Sequence, residues 1–428
     1  MARDSLYPVS VKAGKPILGM LPTGWQKLSL EKCLNIEARK AYIQDNQEYD
    51  LVTVKRSRGG VIRREHLKGK DISVKSQFYI KEGDFLISKR QIVHGACGLV
   101  PKELSGSIVS NEYCVLTGKS GFYLPYMEFL SESLYFQQTC FHSSIGVHIE
   151  KMIFKLDSWF KWPFNIPPLS EQKRIVKILS TWDKAISVTE KLLANSQKQK
   201  KALMQQLLTG KKRLLDENGV RFSGEWEKGK FCDMANIDTG YAFKSKDFTQ
   251  SDSGIPIIRM SDFKTGGLDV LGAAKVDRDS VNGLDKFKLR VGDFVFGMSG
   301  SLNNYGRVEK KDLPCYLNQR VGRILAKECA NQAFITYLYL SDSIQQSILD
   351  KAAGAAQLNI SISDLRSMVV YYPCIEEQQK IAAVLSAADA EISTLEKKLA
   401  CLRDEKKALM QQLLTGKRRV KVDEAVAE

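Results

Sequence analysis

The segment KKALMQQLLTGK fills residues 200–211, and the same segment stands again at 406–417. The offset of 206 holds further upstream. Glu171-Gln172 recurs as Glu377-Gln378, Ile175 as Ile381, Leu179-Ser180 as Leu385-Ser386, and Asp183 as Asp389. Each copy follows a long stretch that hardly resembles its counterpart. The chain therefore reads as two half-proteins in tandem, each a variable part followed by a fixed helix.

The repeated segments predict helices of a particular kind. In the second copy apolar residues fall at Ile381, Leu385, Ala388, Ile392, Leu395, Leu399, Leu402, Leu409 and Leu413. Their steps alternate four and three, with one skip at Lys406, which is a coiled-coil seam. The first copy repeats the phase at Ile175, Leu179, Trp182, Ile186, Leu193, Leu203 and Leu207, but Thr189, Ser196 and Lys200 weaken its seam. Pro167-Pro168 and Pro373 close the upstream ends, and Gly210 and Gly416 follow the last apolar turn, where a C-terminal cap is expected. Each helix is about 40 residues, roughly 60 Å, and such a helix cannot bury its stripe alone. The two copies are expected to pack on each other, antiparallel; the alternative is that each packs on its own globular domain. In the antiparallel register Lys200 faces the turn of Asp389 and Lys406 that of Asp183. The alternative is that both lysines reach out to water.

The variable segments, 1–167 and 215–372, share sparse marks. Each opens near a tryptophan (Trp25, Trp226), and each has Gly-Asp before an apolar strand, KEGDFLIS at 81–88 and RVGDFVFG at 290–297. Each then has an Asn, Asn111 or Asn318, and a helical stretch ending near Gln137-Gln138 or Gln345-Gln346. The expected fold is α+β: two mixed α/β domains joined by two long helices packed as an antiparallel coiled coil. The expected boundaries are 1–167, first domain; 168–210, helix; 211–222, linker; 223–373, second domain; 374–416, helix; 417–428, basic tail.

A formal charge of +15 over 428 residues points to a polyanionic partner, most often nucleic acid. In the first domain VKRSRGGVIRRE gathers Lys55, Arg56, Arg58, Arg63 and Arg64 around a Gly-Gly turn, and Lys89, Arg90, Gln91 and His94 follow the Gly-Asp strand. Arginine suits phosphates and the two acceptors on guanine's major-groove edge. The corresponding place in the second domain reads GMSGSLNNYGR, with Ser299, Ser301, Asn303, Asn304, Tyr305 and Arg307, and Asn suits adenine. These fifteen residues are the candidate DNA-binding set; solvated turns are the plainer reading of any one of them. The nine cysteines form no C-x-x-C pair, which suits reduced thiols in a cytoplasm. No signal-like leader or membrane-spanning run is evident.

No catalytic, cofactor or metal set emerges. Thr117-Gly118-Lys119-Ser120 ends like a P-loop, but Tyr113 stands where the first glycine must be. Asp293 with Glu309-Lys310-Lys311 is a chance-level nuclease-like triple, and His66, His94, His142 and His148 lack metal-ligand spacing. A fused methyltransferase or nuclease and a coiled-coil scaffold that binds only proteins are the competing classes. The absence of cofactor motifs disfavours the first, and the charge disfavours the second.

The motif E-Q-x-x-I-x-x-x-L-S-x-x-D ending in K-A-L-M-Q-Q-L-L-T-G-K stands at Glu171–Asp183 with Lys201–Lys211, and at Glu377–Asp389 with Lys407–Lys417. With the tryptophan and Gly-Asp marks, it makes the whole chain resemble the specificity subunit of type I restriction-modification enzymes. The resemblance implies a non-catalytic subunit whose two target recognition domains each read half of a split, asymmetric double-stranded DNA site. It also implies helices that set the spacing, and assembly with two modification subunits, which methylate adenine with S-adenosylmethionine, and with restriction subunits. A specificity subunit of another bipartite-site system is the near alternative.

Overall fold

The computed structural model describes residues 14–264, 267–299, 304–352 and 360–421. The chain divides into two compact units, residues 1–189 with 398–428, and residues 190–397.

In the first unit, a four-stranded antiparallel sheet runs in the order Leu34–Glu37, Tyr113–Gly118, Phe85–Ser88, Cys97–Leu99. The expected strand after Gly83-Asp84 is its third member, and it is buried on both faces. Phe85 and Ile87 join a core with Trp159, Phe136 and Phe164, whereas Leu86 joins a second core with Val52, Val61 and Val109. A strand covered on both sides reads as a continuous apolar run, which is why FLIS shows no alternation. Gly83 turns at φ 80°, and the Asp84 carboxylate accepts the Lys81 N–H at 2.7 Å and two Arg39 N–H groups at 2.6 and 3.1 Å. A five-stranded sheet carries the basic hairpin, Glu48–Val54 paired with Val61–Lys68.

The second unit repeats the four-stranded order with Ala235–Thr239, Val321–Ala326, Phe294–Gly297 and Tyr305–Arg307. Phe294 and Phe296 face one core and Val295 another. Gly292 has φ 92°, and Asp293 accepts the Arg290 N–H at 3.0 Å and Arg323 Nη1 at 3.4 Å. The Gly-Asp mark is thus a structural device: a left-handed turn residue, then a buried carboxylate that closes the turn and holds an arginine. The expected helical stretches run past their Gln pairs, as Leu134–His142 and Asp342–Ala352.

The long helices span Leu169–Leu207 and Ile375–Leu414. In the first unit, the start of one packs on the end of the other: Ile175 and Leu179 share a core with Met410, Leu413 and Leu414. In the second, the roles exchange, and Leu203, Met204 and Leu207 meet Ile381 and Leu385. The pairing is antiparallel in both. Lys406 Nζ lies 2.7 Å from Asp183, and Lys200 Nζ lies 2.5 Å from Asp389, so the lysines engage carboxylates and do not merely reach water. Lys406 also stands over the Phe129 ring, and Lys200 over that of Tyr337. Thr189 and Ser196 are buried in the seam with their hydroxyls satisfied, Thr189 by the Ala185 carbonyl at 2.8 Å and Ser196 by Glu391 at 3.1 Å.

A second pair of contacts closes each unit. Arg419 forks onto Glu171 at 2.8 and 2.7 Å, and Arg213 forks onto Glu377 at 2.7 and 2.6 Å. Both acids sit in first turns, where negative charge suits the helix dipole. Gly416 and Gly210 cap the helix ends at φ 66° and 69°. Trp25 packs behind Gly416 and Trp226 behind Gly210. The tryptophan marks are therefore braces for the helix ends. Gln172 and Gln378 bind loop backbone of their own units, Gln172 through Tyr123 N, Gly121 O and Pro167 O, and Gln378 through Asn331 N, Cys329 O and Pro373 O.

Candidate nucleic-acid interface

Much of the first domain's candidate set lies on one hairpin and one turn that touch. The hairpin tip enters the left-handed region at Ser57 and Arg58, φ 58° and 52°. Ser57 N–H donates to the His94 carbonyl at 2.7 Å and Arg58 N–H to that of Gly95 at 2.8 Å. The tip is thereby pinned to the 89–95 turn. Glu150 ties the same region together, 2.7 Å from Arg56 and 3.2 Å from His94 Nε2.

Arg58 is half-buried. Its side chain turns inward, donates to the Ser131 carbonyl at 3.2 Å, and lines a cavity of about 130 Å³ with Glu128, Glu132, Asp183 and Lys406. Burial and the nearby Asp183 and Glu132 carboxylates push the Glu128 carboxyl above its usual range. Lys406 works against this, drawing the Glu128 carboxyl back down.

Arg63, Arg64 and His66 lie on the exposed part of strand Val61–Lys68. Arg63 pairs with Asp50 at 3.0 Å and Arg64 with Glu65 at 3.3 Å. His66 contacts Asp50 at 2.7 Å and Glu48 at 3.3 Å, and those hydrogen bonds raise its pKa. Lys89 Nζ donates to the Asn111 carbonyl at 2.6 Å, and Arg90 forks onto Glu112 at 2.6 and 3.3 Å. Gln91 is half-buried, with an Oε1 that has no hydrogen-bond partner among the described residues. Lys55 is exposed at the tip. Sequence reasoning missed the acids Asp50, Glu65, Glu112 and Glu150. Most are remote in sequence from the cations they orient, and only the fold brings them together.

In the second domain, Ser301 and Asn303 lie outside the described residues. Asn304 sits at the start of strand Tyr305–Arg307, its carbonyl accepting the Gly297 N–H at 2.6 Å. Tyr305 is turned inward, its ring 5.9 Å from that of Phe294, and burial raises its phenol's pKa. Arg307 is exposed opposite Phe294. Ser299 follows the buried strand at the place that Arg90 holds in the first unit. Arg320 lies across from the preceding residue, Met298, whose N–H donates to its carbonyl at 3.2 Å, and the sequence reading did not single it out.

The motifs set aside in the sequence are absorbed by the fold. Lys119 donates to the Glu31 carbonyl at 2.6 Å, at the end of a strand and not before a helix. Glu309 and Lys311 pair with each other at 2.7 Å, while Asp293 is held by Arg323. Among the described residues, no cluster of three or more His, Cys, Asp or Glu could hold a metal ion, and no helix is long and apolar enough to cross a membrane.

The profile of the type I restriction modification DNA specificity domain matches the chain twice, over residues 22–195 and 223–402. The chain is 30% identical over 311 residues to the type I restriction enzyme MjaVIII specificity subunit of Methanocaldococcus jannaschii, covering 70% of each. It is 22% identical over 254 residues to the Escherichia coli EcoBI specificity subunit, covering 55% of this chain and 53% of that one. In fold it is similar to the HsdS subunit from Thermoanaerobacter tengcongensis, with TM-score 0.51 and 18% identity over 94% of this chain and 99% of that one. It is also similar to the type I S subunit from M. genitalium, with TM-score 0.56 and 14% identity over 92% and 99%. The tandem repeat, the paired sheets and the double match to one domain profile agree: the chain belongs to the specificity subunits of type I restriction-modification systems.

Proposed function

We propose that residues 1–167 and 223–373 are two target recognition domains, each reading one half of a bipartite, asymmetric DNA site. The helices at 168–210 and 374–416 set the spacer, with 211–222 as linker and 417–428 as a basic tail whose Arg419 closes the first unit. The chain itself does no chemistry. It delivers two modification subunits, and restriction subunits where present, to the sequence it selects. Nine free cysteines suit a reducing cytoplasm as the place of action.

The observation that carries this reading is the duplicated frame. The two units share a strand order and matched ion pairs, yet their exposed side chains at equivalent places differ. A fold that keeps its backbone and varies its surface suits two readers with different targets. Exposed arginines at the hairpin and the turn supply phosphate contacts and guanine readout, and the Ser299–Arg307 segment supplies amide and hydroxyl groups. The test is to exchange residues 1–167 for those of another family member and sequence the methylome of a strain expressing the complex. One half of the methylated motif changes and the other stays. A change in both halves overturns the modular assignment.

A further inference from the structure

One place in the duplicated sheet keeps its backbone and changes its side chains completely. In the first unit Ser88 lies opposite Tyr113, and Lys89 N–H donates to the Glu112 carbonyl at 2.9 Å. In the second, Gly297 lies opposite Val321, and Met298 N–H donates to the Arg320 carbonyl at 3.2 Å. The side chains flanking this hydrogen bond are Arg90 and Glu112 in one unit, and Ser299 and Arg320 in the other. Their equivalence follows from register, not from sequence similarity.

In the first unit the two side chains form a fork: Arg90 Nε donates to Glu112 Oε2 at 2.6 Å and Nη2 to Oε1 at 3.3 Å. Both side chains are about half exposed, 58% and 45%. An exposed pair of this kind contributes little stability, so the fold gives no reason for it. Its effect is orientation. A guanidinium has five N–H groups in one plane, and the fork uses two of them along one edge. The edge formed by Nη1 and the second N–H of Nη2 then faces away from the acid. That edge matches guanine O6 and N7 in the major groove. Two nearby cations are held differently. Arg56 meets Glu150 through one nitrogen, and Lys89 is spent on a backbone carbonyl.

We propose that Arg90, oriented by Glu112, reads a guanine in the half-site taken by the first domain, and that Ser299 and Arg320 are the equivalent specificity positions of the second. Glu112 is a positioning residue. The inference rests on the chain acting as a DNA-specificity subunit.

The experiment uses the full chain assembled with its modification subunits. Methylome sequencing gives the motif, and exchange of residues 1–167 identifies the first domain's half. Duplexes of that motif then carry 7-deazaguanine, which lacks N7, at each guanine of this half in turn. One replacement weakens binding of the wild-type complex about tenfold or more and leaves the Arg90→Ala complex, which has no donor for N7, almost unaffected. Glu112→Gln lowers discrimination at that guanine while raising affinity for unrelated DNA, since an acid facing phosphates is lost. A purely structural Glu112 would not split those two readouts. The inference is overturned if that half contains no guanine, if no 7-deazaguanine replacement weakens wild-type binding, or if Arg90→Ala methylates an unchanged motif. The underlying reading fails in a different way: the wild-type complex then methylates no split motif and binds all sequences alike.

Discussion

Removing the arginine that closes each unit should have unequal effects in the two copies. Glu377 is fully buried, and its side-chain partner is Arg213, itself only 20% exposed. Arg213→Ala leaves a buried carboxylate without its cation, a change that costs about 3–5 kcal/mol. Glu171 is equally enclosed, but Trp25 Nε1 also donates to it at 3.0 Å, and its Arg419 is 43% exposed. Arg419→Ala therefore leaves one donor in place and forfeits a pair already screened by solvent, for about 1–2 kcal/mol. Trp226, the counterpart of Trp25, has a buried Nε1 without a hydrogen-bond partner among the described residues, so it offers no such cover. Native-state hydrogen exchange resolves the two units by peptide. Amides of 376–385 should exchange roughly two hundredfold to several thousandfold faster in Arg213→Ala, and those of 170–179 about tenfold faster in Arg419→Ala. Adding Glu377→Gln to Arg213→Ala should restore much of the loss, since the uncompensated charge is gone. Equal, small effects in both copies would refute the argument from burial.

Three further outcomes are expected. Double-mutant cycles on Lys200/Asp389 and Lys406/Asp183 should each give a coupling of about 1 kcal/mol, kept small by aspartates that are 44% and 47% exposed; a zero coupling removes these pairs as register devices. Seven residues inserted after both Lys191 and Lys397 keep the seam in phase and add about 10.5 Å of helix; methylome sequencing should return the same half-sites with a spacer longer by about three base pairs, whereas a five-residue insertion should abolish assembly. Burial pushes the thiols of Cys33, Cys97 and Cys114 up to about 11 and that of Cys315 to about 12, so a thiol reagent at pH 8 should mark the exposed Cys329, Cys374 and Cys401 and reach the buried ones only after unfolding, with Cys401 slowed by the adjacent Glu405.

The frame was legible because repetition and period are properties of sequence. The helices, their caps and the crossed Lys–Asp pairs all follow from an offset and a heptad phase. The polar seam residues Thr189 and Ser196 looked like weakness. Their tolerance depends on a carbonyl four residues back and on Glu391 of the other helix, which no linear pattern reveals. The tryptophans and Gly-Asp marks were visible as marks but not as mechanisms, since a brace or a buried carboxylate exists only once its partner arrives. The interface was least legible. Charge runs located the loops, but the direction of a side chain depends on distant partners. Arg58 turns toward Ser131, Tyr305 packs on Phe294, and Arg90 gains its orientation from Glu112, all through contacts made in three dimensions.

The matched pairs also bear on how such a gene can change. Glu171, Asp183, Lys200 and Arg213 have the same residue types at Glu377, Asp389, Lys406 and Arg419, and every bond joins the opening of one copy to the close of the other. If recombination overwrites one copy with the other, each acid still meets its base, and no compensating mutation is needed. Crossovers within the repeats can therefore carry a whole variable module from one allele to another while the frame that receives it stays intact.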